Sequence, residues 1–337
     1  MNSLNLRPFS RRFLQRFLSI IALELVGSGA LIAQPSPAAD HASSSPLPEK
    51  GPRLVTPALQ EGAPAAGRRV RHIAPEYADT RVYHSLYLPT DWKPGETYPV
   101  LIEYTGNHWE QSGSTGRVDD ANLGYGLSGG QGFLWIVLPC VEEGGKQNAA
   151  TWWGDLKATL DYATLNVPRL CKAFGGDPDR VILCGFSRGA IAANYLGLAN
   201  DKIAGLWKGF VTHDHYDGVF KVSDEASALE RLKRLNGRPK LIMSALGTEK
   251  TRTYLSQHID LKNHRFIDVP VRKLFSIPDG KIIHPHTDLW MHIDSPYRRE
   301  ARRWLRRLCR TDSRPESIPV DSEATCPSRT PAGKSSS

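Results

Sequence analysis

Residues 180–196 read RVILCGFSRGAIAANYL: an apolar run, the pattern G-x-S-x-G, and then alanines typical of a helix. A serine at such a sharp strand-to-helix turn is pushed out of the sheet edge, and the two glycines leave room for the turn. The N–H groups that start the helix lie where a negatively charged oxygen would form. A bare five-residue match is weak evidence. The flanking strand and helix patterns nevertheless favour Ser187 as a nucleophile over an ordinary turn.

The chain around this motif alternates strand and helix patterns. Helices are predicted from about Asp155, after Ser187 and from Asp224. Strands are predicted at residues 83–89, 98–104, 133–139, 180–184, 206–212, 240–246 and 266–271. This alternation predicts an α/β protein with a mostly parallel central sheet and helices on both faces.

The two ends of the chain differ from its centre. Arginines precede an apolar stretch that Glu24 interrupts, which predicts an export signal over residues 1–33. The stretch is shorter than the roughly 18 apolar residues of a spanning helix, so a cleaved signal is favoured over a membrane anchor. We expect a disordered Pro/Ala/Ser linker at 34–75, the folded domain at 76–310 and a disordered tail at 311–337. The protein is then periplasmic or extracellular.

The net charge of +8 does not predict a nucleic-acid partner. The excess arginines lie in the export signal and in residues 298–310, and the rest of the chain is close to neutral. In the second segment apolar residues recur at helical spacing, with arginines on the other face. This pattern favours a solvated outer helix over a surface for an acidic partner or a membrane.

Three features together resemble the α/β-hydrolase superfamily, and within it the secreted esterases related to polyhydroxybutyrate depolymerases and feruloyl esterases. They are the turn at Ser187, the earlier strand that ends in Tyr104-Thr105-Gly106-Asn107, and a histidine-rich loop before the last helix. The resemblance covers residues 83–310. It implies a catalytic triad in the order Ser, acid, His, each on a loop at the carboxyl end of a strand.

The loop KIIHPHTDLWMH, residues 281–292, offers three candidate bases. A base must be neutral near pH 7 and reach the serine hydroxyl, which suits histidine. His286 is the predicted base. His284 precedes a proline that holds it extended, and His292 belongs to the start of the helical segment, so these two are the alternatives.

The acid is expected at the end of the strand that precedes the histidine loop. Glu249, in Leu246-Gly247-Thr248-Glu249, has that position. Asp217, which follows the preceding strand, is the alternative, because some hydrolases carry the acid one strand earlier. Its role is to hold the imidazole tautomer and to stabilise the imidazolium.

An oxyanion hole is predicted from backbone N–H groups. Arg188 follows the nucleophile, and Gly106 or Asn107 follows the earlier strand. Trp109, Trp152 and Trp153 are candidates for an aromatic wall of the substrate site, although packing in the core explains each equally well.

The run His213-Asp214-His215-Tyr216-Asp217 supports a competing interpretation. It matches H-x-H-x-D, the opening of the metallo-β-lactamase zinc signature, but Gly218 stands where the next histidine belongs. A peptidase of the same fold and a non-catalytic binding module are further alternatives. The favoured prediction is an exported serine hydrolase that cleaves small-molecule or polymer-linked carboxylic esters without a cofactor, a nucleic-acid partner or a stable membrane anchor.

Overall fold

A computed structural model describes residues 54–110, 114–220, 224–275 and 285–310. The predicted export signal and C-terminal tail lie outside the described residues, as does His284. Within the part of the chain that is described, no helix has both the length and the apolar character needed to cross a bilayer.

The described residues form a central sheet of eight strands and a separate two-stranded pair. The sheet has the order β1-β2-β6-β3-β7-β8-β9-β10. β2 pairs antiparallel with β1 and β6, and the other neighbours pair parallel. The strands are β1 (Arg69–His72), β2 (His84–Tyr87), β3 (Tyr98–Tyr104), β4 (His108–Trp109), β5 (Ser114–Thr115), β6 (Leu134–Val137), β7 (Gly176–Phe186), β8 (Gly209–His213), β9 (Lys240–Ser244) and β10 (His264–Asp268).

Helices connect most of the parallel strands. They are α1 (Leu123–Ser128), α2 (Leu156–Phe174), α3 (Arg188–Tyr195), α4 (Asp201–Ala204), α5 (Glu225–Lys233), α6 (Glu249–Ser256), α7 (Val271–Leu274) and α8 (Pro296–Leu308), with short 3-10 turns at Pro75–Tyr77, Val118–Asp120 and Leu289–His292. The predicted helix from Asp155 is α2, which Asp155 caps by accepting the N–H of Ala158. α2 ends at Gly175, whose φ of 77° suits glycine.

Both faces of the sheet are covered. Successive side chains of a strand point to opposite faces. On β7, Ile182 belongs to a buried cluster that includes Ala301 and Leu305 of α8, while Leu183 lies against Gly197 just beyond α3. This packing explains why the strand is apolar throughout rather than alternating. The predicted α/β class, with a mostly parallel central sheet and helices on both faces, is confirmed.

The folded region begins earlier than predicted. Arg69–His72, placed by the sequence in the linker at 34–75, forms β1 and pairs with β2. Val70 is fully buried, and the Arg69 guanidinium lies 4.5 Å from the centre of the Trp135 ring. An arginine that packs on an aromatic ring does not stand out in a sequence pattern, because the ring is distant along the chain. The predicted boundary at residue 76 is therefore wrong.

The parallel strands bring their carboxyl ends to one edge. β7 and β8 are neighbours, with Phe186 opposite His213 in the register. The next residues, Ser187 and Asp214, therefore leave the sheet side by side. The Ser187 N–H donates to the His213 carbonyl at 3.1 Å, which ties the end of β7 to the end of β8.

Candidate active site

Ser187 stands on a strained turn between β7 and α3. Its φ of 56° and ψ of −119° lie outside the helical and extended regions. A Cβ on Gly185 would lie 2.1 Å from the Gly189 carbonyl oxygen, and one on Gly189 would lie 1.8 Å from that of Tyr104. The G-x-S-x-G pattern is thus a steric requirement of this turn, and the turn projects the hydroxyl above the sheet edge.

The imidazole of His286 lies between Ser187 and Asp214. Its Nε2 is 2.8 Å from the Ser187 Oγ, and its Nδ1 is 2.7 Å from the Asp214 Oδ2. The rings of Phe186 and His215 pack against the imidazole, with their centroids 4.6 and 4.7 Å from its own. The Trp109 ring contacts the imidazole edge-on, at a centroid distance of 5.8 Å. His286 is only 4% exposed, so its orientation is fixed by packing as well as by hydrogen bonds.

Asp214 is held from several directions. Its φ of 75° is a left-handed conformation that aspartate tolerates better than most residues. Oδ1 accepts the N–H of Ala245 at 2.6 Å and the hydroxyl of Ser244 at 3.0 Å, both at the end of β9. Burial alone would raise the pKa of this carboxyl, but His213 and His286 hold the pKa well below its usual value. The group is therefore an anion beside the imidazole.

Neither predicted acid contacts His286 in the described residues. Glu249 begins α6, is exposed, and accepts a hydrogen bond from Thr253 of the same helix. Asp217 is buried in an ion pair with Arg231, whose Nε lies 2.7 Å from its Oδ2. The carboxylate beside the imidazole is Asp214, so the placement of Glu249, and of Asp217 as its alternative, is wrong.

The sequence contained a signal for Asp214 that the prediction passed over. Asp214 is the first residue after β8, and β8 is the parallel neighbour of the strand that carries the nucleophile. Side chains that follow adjacent parallel strands emerge together. The strand that ends at Ser244 contributes hydrogen bonds to this carboxylate, and Glu249 lies further along the chain in α6.

The zinc alternative does not fit the geometry. The His213 Nε2 accepts a hydrogen bond from the Trp290 indole, His215 stacks between Phe220 and His286, and Asp217 binds Arg231. In the described ranges, no group of three or more His, Cys, Asp or Glu side chains is arranged to hold a metal ion. The three residues of the H-x-H-x-D pattern thus have separate partners, which does not support the zinc alternative.

Two of the predicted oxyanion donors, Arg188 and Gly106, adjoin Ser187. Arg188 is the first residue of α3, where a helix N–H has no acceptor within the helix. A Cβ on Gly106 would be 3.4 Å from the Ser187 Cβ, so the chain after β3 packs directly against the nucleophile. The Asn107 side-chain oxygen accepts the N–H of Trp152 at 2.6 Å. The chain after β3 and the start of α3 therefore both adjoin the nucleophile, which is the placement that an oxyanion hole requires.

The Arg188 side chain has a structural role that sequence reasoning missed. It is buried and donates to the Thr105 carbonyl at 3.2 Å, to the Trp152 carbonyl at 2.8 Å and to the Gly116 carbonyl at 3.2 Å. One guanidinium therefore joins three loops around the nucleophile. Its position after the serine was visible in the sequence, but its partners were not.

Trp109, Trp153 and the alternative base His292 each have different surroundings. Trp109 contacts the His286 ring, so it borders the site. Trp153 is buried and stacks on Tyr195 at 5.0 Å, which indicates packing rather than a substrate wall. The alternative base His292 has its Nε2 3.0 Å from the Thr56 hydroxyl.

No protein-family model and no curated protein matches the sequence. Among solved structures, the carboxylesterase Cest-2923 from Lactobacillus plantarum WCFS1 is 15% identical with a TM-score of 0.47, covering 73% of this chain and 100% of its own. A thermostable esterase is 15% identical with a TM-score of 0.44, over 70% of this chain and 61% of its own. The isopeptidase AtxE2, bound to astexin3-dC4, is 18% identical with a TM-score of 0.41, over 69% of this chain and 39% of its own. Likeness at this level of identity leaves the activity open.

Proposed function

We propose that this protein is a serine hydrolase that cleaves carboxylic esters through an acyl-serine intermediate. The observation that carries the proposal is the His286 imidazole, which lies within hydrogen-bond distance of both the Ser187 hydroxyl and the Asp214 carboxylate. Nucleophile, base and orienting acid in this arrangement are what acyl transfer by serine requires. Arg188 and Gly106 are the proposed backbone oxyanion donors, with Asn107 as the alternative to Gly106.

The proposed reaction has two steps. Ser187 Oγ attacks the substrate carbonyl carbon while His286 Nε2 takes the hydroxyl proton, and the resulting oxyanion is held by backbone N–H groups. The C–O bond to the leaving group then breaks, and His286 gives its proton to the departing alcohol. Water attacks the acyl-serine with His286 again as base, which releases the carboxylic acid and restores the serine. Asp214 stabilises the imidazolium in both steps.

The substrate preference rests on resemblance. An ester is favoured over an amide through the similarity to secreted esterases related to polyhydroxybutyrate depolymerases and feruloyl esterases. Peptidase activity on the same triad is the second candidate. Export to the periplasm or the medium remains part of the proposal, because an arginine-rich segment precedes a short apolar run at the N-terminus.

Replacing the nucleophile tests the proposal. We expect Ser187→Ala to lower p-nitrophenyl ester hydrolysis by at least about 10³-fold, because the attacking atom is removed. A fluorophosphonate probe should label Ser187 in the parent protein and leave the variant unlabelled, as peptide mapping would show. Ser256→Ala, whose hydroxyl bonds to the Thr253 carbonyl on α6, is the matched control and should keep full activity.

Three outcomes would redirect the proposal. Turnover by Ser187→Ala at the parental rate would exclude the serine mechanism. Faster cleavage of a p-nitroanilide than of the matched p-nitrophenyl ester would replace the esterase by a peptidase. Activity lost on EDTA dialysis and restored by zinc would indicate a metal-activated water instead.

A further inference from the structure

A second histidine lies under the proposed triad. His213 ends β8 and is fully buried, and its Nε2 accepts the indole N–H of Trp290 at 2.6 Å. An indole nitrogen can only donate, so the Nε2 of His213 carries no proton. The imidazole is therefore neutral, and its single N–H is on Nδ1.

The Nδ1 of His213 faces Asp214. It lies 3.4 Å from Oδ2, the same oxygen that His286 Nδ1 approaches at 2.7 Å. The contact is long, so it acts as an N–H dipole beside a charge more than as a short hydrogen bond. Both side chains have 0% exposure, and without water between them such a dipole is felt strongly. Oδ2 thus sits between two imidazoles, while Oδ1 is held by β9.

We propose that His213 is a positioning residue for the triad, which keeps Asp214 ionised and its Oδ2 turned toward His286, and that Trp290 fixes the tautomer this requires. The inference rests on the proposed roles of Ser187, His286 and Asp214. Without Trp290, the proton could move to Nε2 and leave the bare Nδ1 lone pair facing the carboxylate. That arrangement would repel Oδ2.

Other titratable groups face the same region and belong in the interpretation of any pH profile. Asp288, in the loop after His286, interacts with His213, and burial raises the pKa of Asp288 to about 6. His215 stacks on the other side of His286, and burial, together with the charge on His286, lowers the pKa of His215 to about 3. Asp288→Asn is therefore included as a control for the acid limb.

The test compares two replacements of similar size, His213→Asn and His213→Leu. The asparagine amide nitrogen stands near the place of Nδ1 and can donate, whereas leucine cannot. We expect His213→Leu to lower kcat by about 10- to 100-fold with little change in KM, because the residue acts through Asp214 and not on the substrate. His213→Asn should stay within a few-fold of the parent.

The pH profile of kcat/KM separates positioning from packing. Loss of the Nδ1–H leaves more negative charge on the oxygen that faces His286, so the acid limb of His213→Leu should move up by about half a unit. The limb of His213→Asn should stay in place. Trp290→Phe keeps an aromatic ring but removes the hydrogen-bond donor, so its acid limb should move in the same direction as that of His213→Leu. Adding Trp290→Phe to His213→Leu should not move the acid limb further.

The results distinguish a positioning role of His213 from a role in packing alone. Equal losses in His213→Asn and His213→Leu with unmoved acid limbs would overturn the positioning role, as would normal turnover by His213→Leu. Should the His213 variants fail to fold, an unchanged profile for Trp290→Phe would overturn it instead. Ser187→Ala, measured in parallel, tests the serine mechanism independently of His213. If this variant keeps its turnover, the serine mechanism itself is wrong.

Discussion

At the scale of single residues, the site depends on two backbone conformations that most residues avoid. Ser187 and Asp214 both have positive φ, at 56° and 75°. Each stands directly after a parallel strand, where the chain must turn sharply to leave the sheet edge. Strain of this kind persists only where the surroundings hold it, and here the Ser187 N–H and the Asp214 side chain are both hydrogen-bonded.

The identity of the acid gives a residue-scale prediction. Asp214→Asn should lower turnover by up to about 10⁴-fold, because His286 loses the carboxylate that fixes its tautomer and stabilises its imidazolium form. The protein should remain folded and label slowly at Ser187. Steady-state kinetics with the p-nitrophenyl ester measures the loss.

Two other carboxylates serve as controls. Glu249→Gln, on the exposed start of α6, should leave turnover unchanged. Asp217→Asn breaks a buried pair with Arg231 and should lower the thermal midpoint while kcat stays near the parent value. A severe loss of turnover in Glu249→Gln, together with normal turnover in Asp214→Asn, would contradict the assignment of Asp214 as the acid.

At the scale of elements, β3 carries a buried carboxylate that ties it to its neighbours. Glu103 is 1% exposed, and its Oε2 accepts the N–H of Gly124 in α1 at 2.7 Å and the indole N–H of Trp135 in β6 at 2.8 Å. Burial, and secondarily the charge of Asp288, raises the pKa of Glu103 to about 7. The folded protein therefore retains a proton that the unfolded chain releases.

This group predicts how stability changes with pH. The folded state binds more protons than the unfolded state between the ordinary pKa of 4.5 and about 7, so the contribution of Glu103 to stability falls as pH rises through that window. Glu103→Gln removes the ionisation. Relative to the parent, the free energy of unfolding of the variant should rise by about 2.5 kcal/mol between pH 5 and pH 8.

Urea unfolding of both proteins at the two pH values measures this difference. Glu249→Gln controls for the loss of a carboxylate at an exposed position. A Glu103→Gln free-energy difference that is the same at pH 5 and pH 8 would show that Glu103 is ionised in the fold at both.

At the scale of the whole molecule, the described domain extends further toward the N-terminus than its composition indicates. The Leu54 N–H donates to the His292 carbonyl at 3.0 Å, and the Thr56 hydroxyl donates to the Asn122 side chain at 2.8 Å. Gln60 exchanges backbone hydrogen bonds with Arg69 and Arg71 on β1. Truncation at residue 76 would remove β1 from the edge of the sheet.

The N-terminal segment carries the remaining whole-molecule prediction. Expressed from its full sequence in a bacterium, the protein should lose about 33 residues on export, because arginines precede an apolar stretch too short to span a bilayer. Intact-mass measurement of the periplasmic and secreted fractions checks this. A full-length chain recovered with the membranes would favour an anchor.

Features that are local along the chain could be predicted from the sequence. The alternation of strands and helices, the stop of α2 at Gly175 and the turn at Ser187 each follow from a few adjacent residues, whose steric needs are visible in the pattern. His286 was singled out because histidine suits the role of base, and the fold places it against Ser187.

Which carboxylate completes the site, and where the domain begins, depended on contacts between segments that are distant along the chain. The sequence pattern favoured Glu249, with Asp217 as the alternative, and passed over Asp214, because reaching His286 depends on strand order, register and backbone turn, which join residues 72 positions apart. The edge strand β1 likewise gains its place through the packing of Val70 and of Arg69 on Trp135. Pairings between distant segments produce no periodic pattern in a sequence. Burial and hydrogen bonding in the folded chain therefore determine which of the candidate residues meet.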